Sequence, residues 1–194
     1  MKLRVVSPLL VSALVLTSLA CTTASPQGAG RSEAKAKEEG VLVGPVTRDQ
    51  VEGASAEWMQ AEVEAQPDAQ VAQALASVEP GADVTVYLGT WCSDSRREVP
   101  RLWKAIDAAG GTVPFTLHYV GVDHDKKEPA AAIAEGDVHY LPTFIVRRGG
   151  KEVGRVIETS PNGIERDLLA LLTGKAHGVL ATREDLASPS KPPL

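Results

Sequence analysis

Cys92 is the residue of this sequence best suited to do chemistry. It stands in the string Trp91-Cys92-Ser93-Asp94-Ser95, and the other cysteine, Cys21, closes an apolar leader. Thiolate is the nucleophilic form of cysteine and the species that attacks a disulfide. Residues 83–90 are rich in Val, Thr and Tyr and read as a strand, and a helix is expected to open near Ser93. Unpaired backbone N–H groups and the positive dipole end at a helix start stabilise an anion there. Ser95, one turn on, is positioned to donate a hydrogen bond to the thiolate. Arg96 and Arg97 add positive charge, which Asp94 opposes. Trp91 is expected to shield one side of the sulfur. The competing reading makes Cys92 an inert small residue at a helix start.

Other polar groups are weaker candidates. Asp123-His124-Asp125 could begin a metal cluster, but a site needs more ligands than these, so a solvated loop after a strand is expected. His118, His139 and His177 lack ligand spacing. His118 should face outward from its strand, and His139 should line the site near Pro142. Trp58 and Trp103 read as core residues. No metal and no cofactor is expected.

The elements that must position Cys92 follow from pattern. Val41–Val43 reads as a short strand. Thr47-Arg48-Asp49-Gln50 has the form of a capping box, opening a helix through Trp58. Asp68 caps a second helix with Val71, Leu75 and Val78 on one face. The helix from Ser93 carries Val99, Leu102, Trp103 and Ile106, an apolar stripe at i, i+3, i+4, i+7, and Gly110-Gly111 ends it. Residues 115–123 form an apolar strand and residues 129–135 a short helix. Residues 143–148 and 151–158 pair as a hairpin across Gly149-Gly150. Ile164, Leu168, Leu171 and Leu172 give a final helix, stopped by Gly174. A strand-helix-strand unit followed by a hairpin and a helix implies an α/β fold with a mixed sheet between helices.

The chain has 194 residues, 43% of them apolar, enough for one ordinary core. A net charge of -5 argues against a nucleic-acid binder, which needs a basic stripe. Residues 1–21 form a targeting segment: Lys2 and Arg4, then an apolar run too short for a good membrane span, then Leu19-Ala20-Cys21. This resembles a bacterial lipoprotein signal. The resemblance implies cleavage before Cys21 and acylation of its sulfur and new amino group; ordinary secretion would leave Cys21 a thiol. Residues 22–40 lack apolar periodicity and read as a flexible tether, spanning about 25 Å as a coil. Residues 175–194 are expected to be a loose tail.

Residues 41–174 resemble the thioredoxin-like family, in a branch exported by bacteria. The residues that carry the resemblance are Trp91-Cys92 after a strand, Pro100 eight residues beyond Cys92, Leu141-Pro142-Thr143 before the hairpin, and the hairpin and helix that follow. It implies a thioredoxin-like fold with extra N-terminal helices and a cis bond before Pro142. Leu141, Pro142 and Thr143, with Trp91, would hold an extended substrate beside the nucleophile Cys92. Family members that cycle alone have a second cysteine where Ser95 stands, and many place a buried acid where Val86 stands. With neither present, autonomous dithiol chemistry is not expected. A monothiol activity resolved by an external reducing thiol is expected instead: isomerase, deglutathionylation or mixed-disulfide holding. Its partners would be exported proteins or small thiols in the bacterial periplasm. A lipid at Cys21 would be the membrane contact, and Thr22 in place of Asp favours the outer membrane. The alternative is a non-catalytic module that binds an extended segment in the same groove. Peroxide reduction is disfavoured, because Gly89 stands where peroxidatic relatives have threonine.

Overall fold

The computed structural model describes residues 40–186, all within one compact unit. The leader, Cys21, residues 22–39 of the tether and residues 187–194 lie outside the described residues. The elements run β1 (Gly44–Val46), α1 (Arg48–Glu52), α2 (Ala56–Glu64), α3 (Ala69–Leu75), β2 (Ala82–Leu88), α4 (Ser93–Ala108), β3 (Thr116–Gly121), α5 (Ala130–Gly136), β4 (Thr143–Arg148), β5 (Lys151–Ile157), α6 (Ile164–Leu172) and β6 (Gly178–Leu180). They build one sheet in the order β1-β3-β2-β4-β5-β6. β2 and β3 are parallel and joined by α4, whereas β4 is antiparallel to both β2 and β5. The result is an α/β thioredoxin-like fold: a mixed six-stranded sheet flanked by helices.

Alternation along the strands divides the apolar residues between two faces. Val84, Val86, Leu88, Phe144, Val146 and Val156 enter the larger core, under α3, α4 and α6. The expected stripe of α4 joins them, with Val99, Leu102, Trp103 and Ile106 all buried. Tyr87 and Ile145, on the opposite face, enter a smaller cluster with Val122, Val138 and Leu141, packed against Ala132 and Ile133 of α5. The hairpin forms at the expected place. Gly149 and Gly150 both have positive φ (58° and 75°), as a tight two-residue turn requires.

The N-terminal expectations are corrected in two respects. The first strand begins at Gly44, because residues 40–42 serve another contact and Gly44 is the first residue to pair, with Gly121. The capping box of Thr47 and Gln50 is present, but its helix stops at Gly53 and a new one starts after Ser55. Gly53 closes α1, and Ser55 has the extended backbone of an N-cap. Both helices dock on α4. Arg48 pairs with Glu52, Glu62 and Asp107 and stacks over the Trp103 ring at 5.3 Å.

The C-terminal expectation is corrected as well. Residues 178–180, assigned to a loose tail, form β6 beside β5. The chain then runs on to Arg183, whose guanidinium lies 4.7 Å from the Tyr140 ring centroid. Gly154 makes the strand pairing possible, since a Cβ there would come within 2.5 Å of the Gly178 carbonyl oxygen.

Candidate functional site

Cys92 is the N-cap residue of α4, with extended backbone at φ −84° and ψ 125°. The first intrahelical bond runs from Arg96 N–H to the Cys92 carbonyl at 3.1 Å. The N–H groups of Ser93, Asp94 and Ser95 therefore have no acceptor within the helix. Cys92 is partly buried, packed with Trp91 against the smaller cluster. Its thiol donates to the Leu141 carbonyl oxygen at 3.5 Å. The Leu141–Pro142 bond is cis. Strand and helix thus bring Cys92 to the loop that precedes β4, as the family resemblance implied.

That loop is fixed from within. Thr143 is buried, and its hydroxyl donates to the Tyr140 carbonyl at 2.7 Å. Glu158 N–H donates to the Pro142 carbonyl at 2.8 Å. β4 has β2 on one side and β5 on the other, and Thr143 itself pairs with Tyr87 and Ile157. An incoming strand has no free edge on β4, so an extended segment reaching Cys92 would meet the loop before that strand. Leu141 is thereby the residue whose backbone faces the sulfur, while the Thr143 side chain supports the loop.

Ser95 supports the turn before the nucleophile. It is fully buried, and its hydroxyl oxygen accepts the Gly89 N–H at 3.2 Å. A bond from Ser95 to the sulfur is not among those of the described residues. The turn before Cys92 leaves a buried N–H that needs an acceptor, and Ser95 supplies it. The two arginines also divide. Arg97 is engaged by Asp94 (2.8 Å), Glu98 (3.0 Å) and Thr159 (2.6 Å). Arg96 lines two open cavities, one of about 390 Å³ with Thr90, Trp91 and His124, the other of about 480 Å³ with Ser93 and Glu57. Burial pushes the Glu98 carboxyl upward, against the pull of Arg97. Val86 lies in the larger core at 0% exposure, so no acid stands at its position on β2.

Trp91 is held by its indole N–H, which donates to the Val122 carbonyl at 3.0 Å, and it stacks on His124 at 4.4 Å. His124 was assigned to a solvated loop; the stack gives it a place beside the site. Asp123 closes the same loop by accepting the N–H groups of Lys127 and Glu128. His139 is exposed and pairs with Asp137 at 2.9 Å, while the sulfur's hydrogen-bond partner is the Leu141 carbonyl. His118 points outward, 57% exposed. Among the described residues no group of three or more His, Cys, Asp or Glu is placed to hold a metal.

Thr90, two residues before Cys92, is a buried residue that sequence reasoning did not single out. It is 5% exposed. Its hydroxyl donates to Gly40 O at 2.7 Å and accepts Leu42 N–H at 3.3 Å. Its carbonyl accepts the Trp58 indole N–H at 3.0 Å. A buried tryptophan must find an acceptor, which was the available signal; which acceptor it finds depends on the docking of α2.

Chemically, the arrangement offers one sulfur at a helix start, beside a backbone carbonyl, with no second thiol among the described residues. It can form one mixed disulfide. Ser95 cannot release it, because an alcohol cannot form the S–S bond.

No family model matches the chain. A thioredoxin-like protein of Acanthamoeba polyphaga mimivirus is 23% identical over 96 residues, covering 50% of this chain and 66% of the relative, just under two thirds of its length. A solved protein of unknown function from Pseudomonas aeruginosa aligns with TM-score 0.46 and 15% identity, over 62% of this chain and 82% of that one. The thioredoxin of Fasciola hepatica aligns with TM-score 0.33 and 28% identity, over 50% and 84%. The sheet order, the parallel β2-α4-β3 unit, the antiparallel β4-β5 hairpin and Cys92 at the head of α4 together make this a protein of thioredoxin-like fold.

Proposed function

We propose that this protein acts in thiol–disulfide exchange through Cys92 as a single nucleophile. The observation that carries the reading is the position of the sulfur: N-cap of α4, partly exposed, and 3.5 Å from the Leu141 carbonyl in the loop ahead of β4. The Cys92 thiolate attacks a disulfide R–S–S–R′, forming Cys92–S–S–R and releasing R′–S⁻. An external thiolate R″–S⁻ then attacks that bond, forming R–S–S–R″ and returning Cys92 as thiolate. Atoms and electrons balance, and no internal second thiol is needed. This fits isomerase, deglutathionylation or mixed-disulfide holding better than autonomous reduction. The leader ending at Cys21 supports a lipid-anchored location in a bacterial envelope, on the outer membrane, where disulfides persist.

The test uses the full chain in a Cys21→Ser background with oxidised glutathione as the probe. Intact-mass spectrometry should find one glutathionyl group on Cys92, removed again by reduced glutathione. An adduct that forms only after unfolding would sink the proposal.

A further inference from the structure

The residues before the nucleophile are anchored one by one. Gly89 N–H is held by Ser95 and Gly89 C=O by Cys92 N–H (2.9 Å), both from within the turn. Trp91 is held by Val122 across the sheet. Thr90 alone is held entirely by the N-terminal segment, at three points: Gly40, Leu42 and Trp58. The contact is close-fitting. A Cβ at Gly121 would lie 2.3 Å from the Leu42 carbonyl oxygen, so the strap of residues 40–42 sits directly on sheet backbone. Trp58 is equally fixed, at 0% exposure and 5.9 Å from the Trp103 ring.

We infer that the N-terminal segment is part of the reactive site, with Trp58 and Thr90 as positioning residues that set the backbone of the Cys92 loop. The inference rests on the exchange reaction proposed above. Thr90 is two residues from the nucleophile, and the sulfur must meet both its own helix start and the substrate at the Leu141 loop. Misplacing a reacting group by about 1 Å can cost about 100-fold in rate. Removing the indole N–H leaves the Thr90 carbonyl buried without that donor, and the loop must shift to find another.

The molecule supplies its own control. Trp103 is also buried, and its indole N–H donates to the Tyr119 hydroxyl at 2.9 Å, within the same core but away from the Cys92 loop. Trp58→Phe and Trp103→Phe therefore each delete one indole hydrogen bond. The rate of glutathionylation of Cys92 is measured on the full chain in the Cys21→Ser background, at a temperature where near-UV circular dichroism finds each variant folded. Trp58→Phe should slow it about tenfold, and Trp103→Phe should leave it unchanged. Thr90→Val, which loses both strap bonds, should slow it as well, and Thr90→Ser, which keeps the hydroxyl, should recover most of the loss. Thr90→Val decides the matter should Trp58→Phe not fold. Equal rates for Trp58→Phe and Trp103→Phe, or for Thr90→Val and the parent, overturn the inference while leaving the exchange reaction standing. A parent chain that does not react overturns the exchange reaction, and the inference with it.

Discussion

The two faces of the sheet are built for different purposes. The larger core packs Trp58, Trp103, Phe144 and the apolar stripes of α4 and α6, with Val86 where an acid could have stood. The smaller cluster has five buried residues, covered by one short helix, and it is the one that Cys92 and Trp91 pack against. A large dry face can stabilise the sheet whatever happens at its end. A small face leaves room for a sulfur to stay partly exposed. The comparison teaches that stability and chemistry are separable here, except where Trp58 crosses from one to the other by bonding to Thr90.

The strongest challenge to that separation is Cys92→Ser. It should abolish adduct formation completely, with no loss of thermal midpoint, in the same glutathione assay combined with a melting curve. A substantial drop in midpoint would mean that the sulfur is a core residue after all. Phe144→Ala tests the other face. It should cost about 3–5 kcal/mol in urea unfolding, while the folded fraction keeps its exchange rate.

Glu165 sharpens the picture through pH. It is fully buried, its carboxylate grips Arg101 through both oxygens (2.8 and 2.7 Å), and it accepts Asp68 N–H at 3.0 Å. Burial pushes its carboxyl upward, but Arg101 and the Asp68 N–H outweigh burial and hold it below the ordinary glutamate value. The folded state thus releases the proton more readily than the unfolded chain. The contribution is present above the ordinary value of 4.5 and is lost as pH falls through the lower folded value. Glu165→Gln should cost about 3 kcal/mol near neutrality, the low end for a broken buried pair, because Arg101 stays one-third exposed. It should also flatten the acid limb of stability against pH, and an unchanged limb would count against the lock. The smallest effect expected is that of Tyr119→Phe. It removes the Trp103 acceptor, should cost about 1 kcal/mol in urea unfolding, and should leave Cys92 exchange unaffected.

Much of the site was legible because its signals are local. A strand, a helix start and a cysteine between them occupy one stretch of sequence, and Pro142 marks the loop ahead of the hairpin. The role of Ser95 as acceptor for the Gly89 N–H was not legible, because that N–H is left over by the turn before Cys92 and only the folded turn shows it. β6 was missed because a three-residue strand, Gly178–Leu180, carries almost no period of its own. It exists because β5 offers an edge and Gly154 lets the backbones approach.

By itself the sequence determined the order of the main elements and the apolar stripes of α4 and α6, and it singled out Cys92 as the candidate nucleophile. These depend on periodicity and on residue type, which are written along the chain. Only the tertiary structure decided what surrounds that atom. The Leu141 carbonyl at the sulfur, His124 on Trp91, and Gly40, Leu42 and Trp58 on Thr90 are contacts between segments 30 to 50 residues apart. A buried donor is obliged to find an acceptor, but which one it finds is settled only when the helices dock.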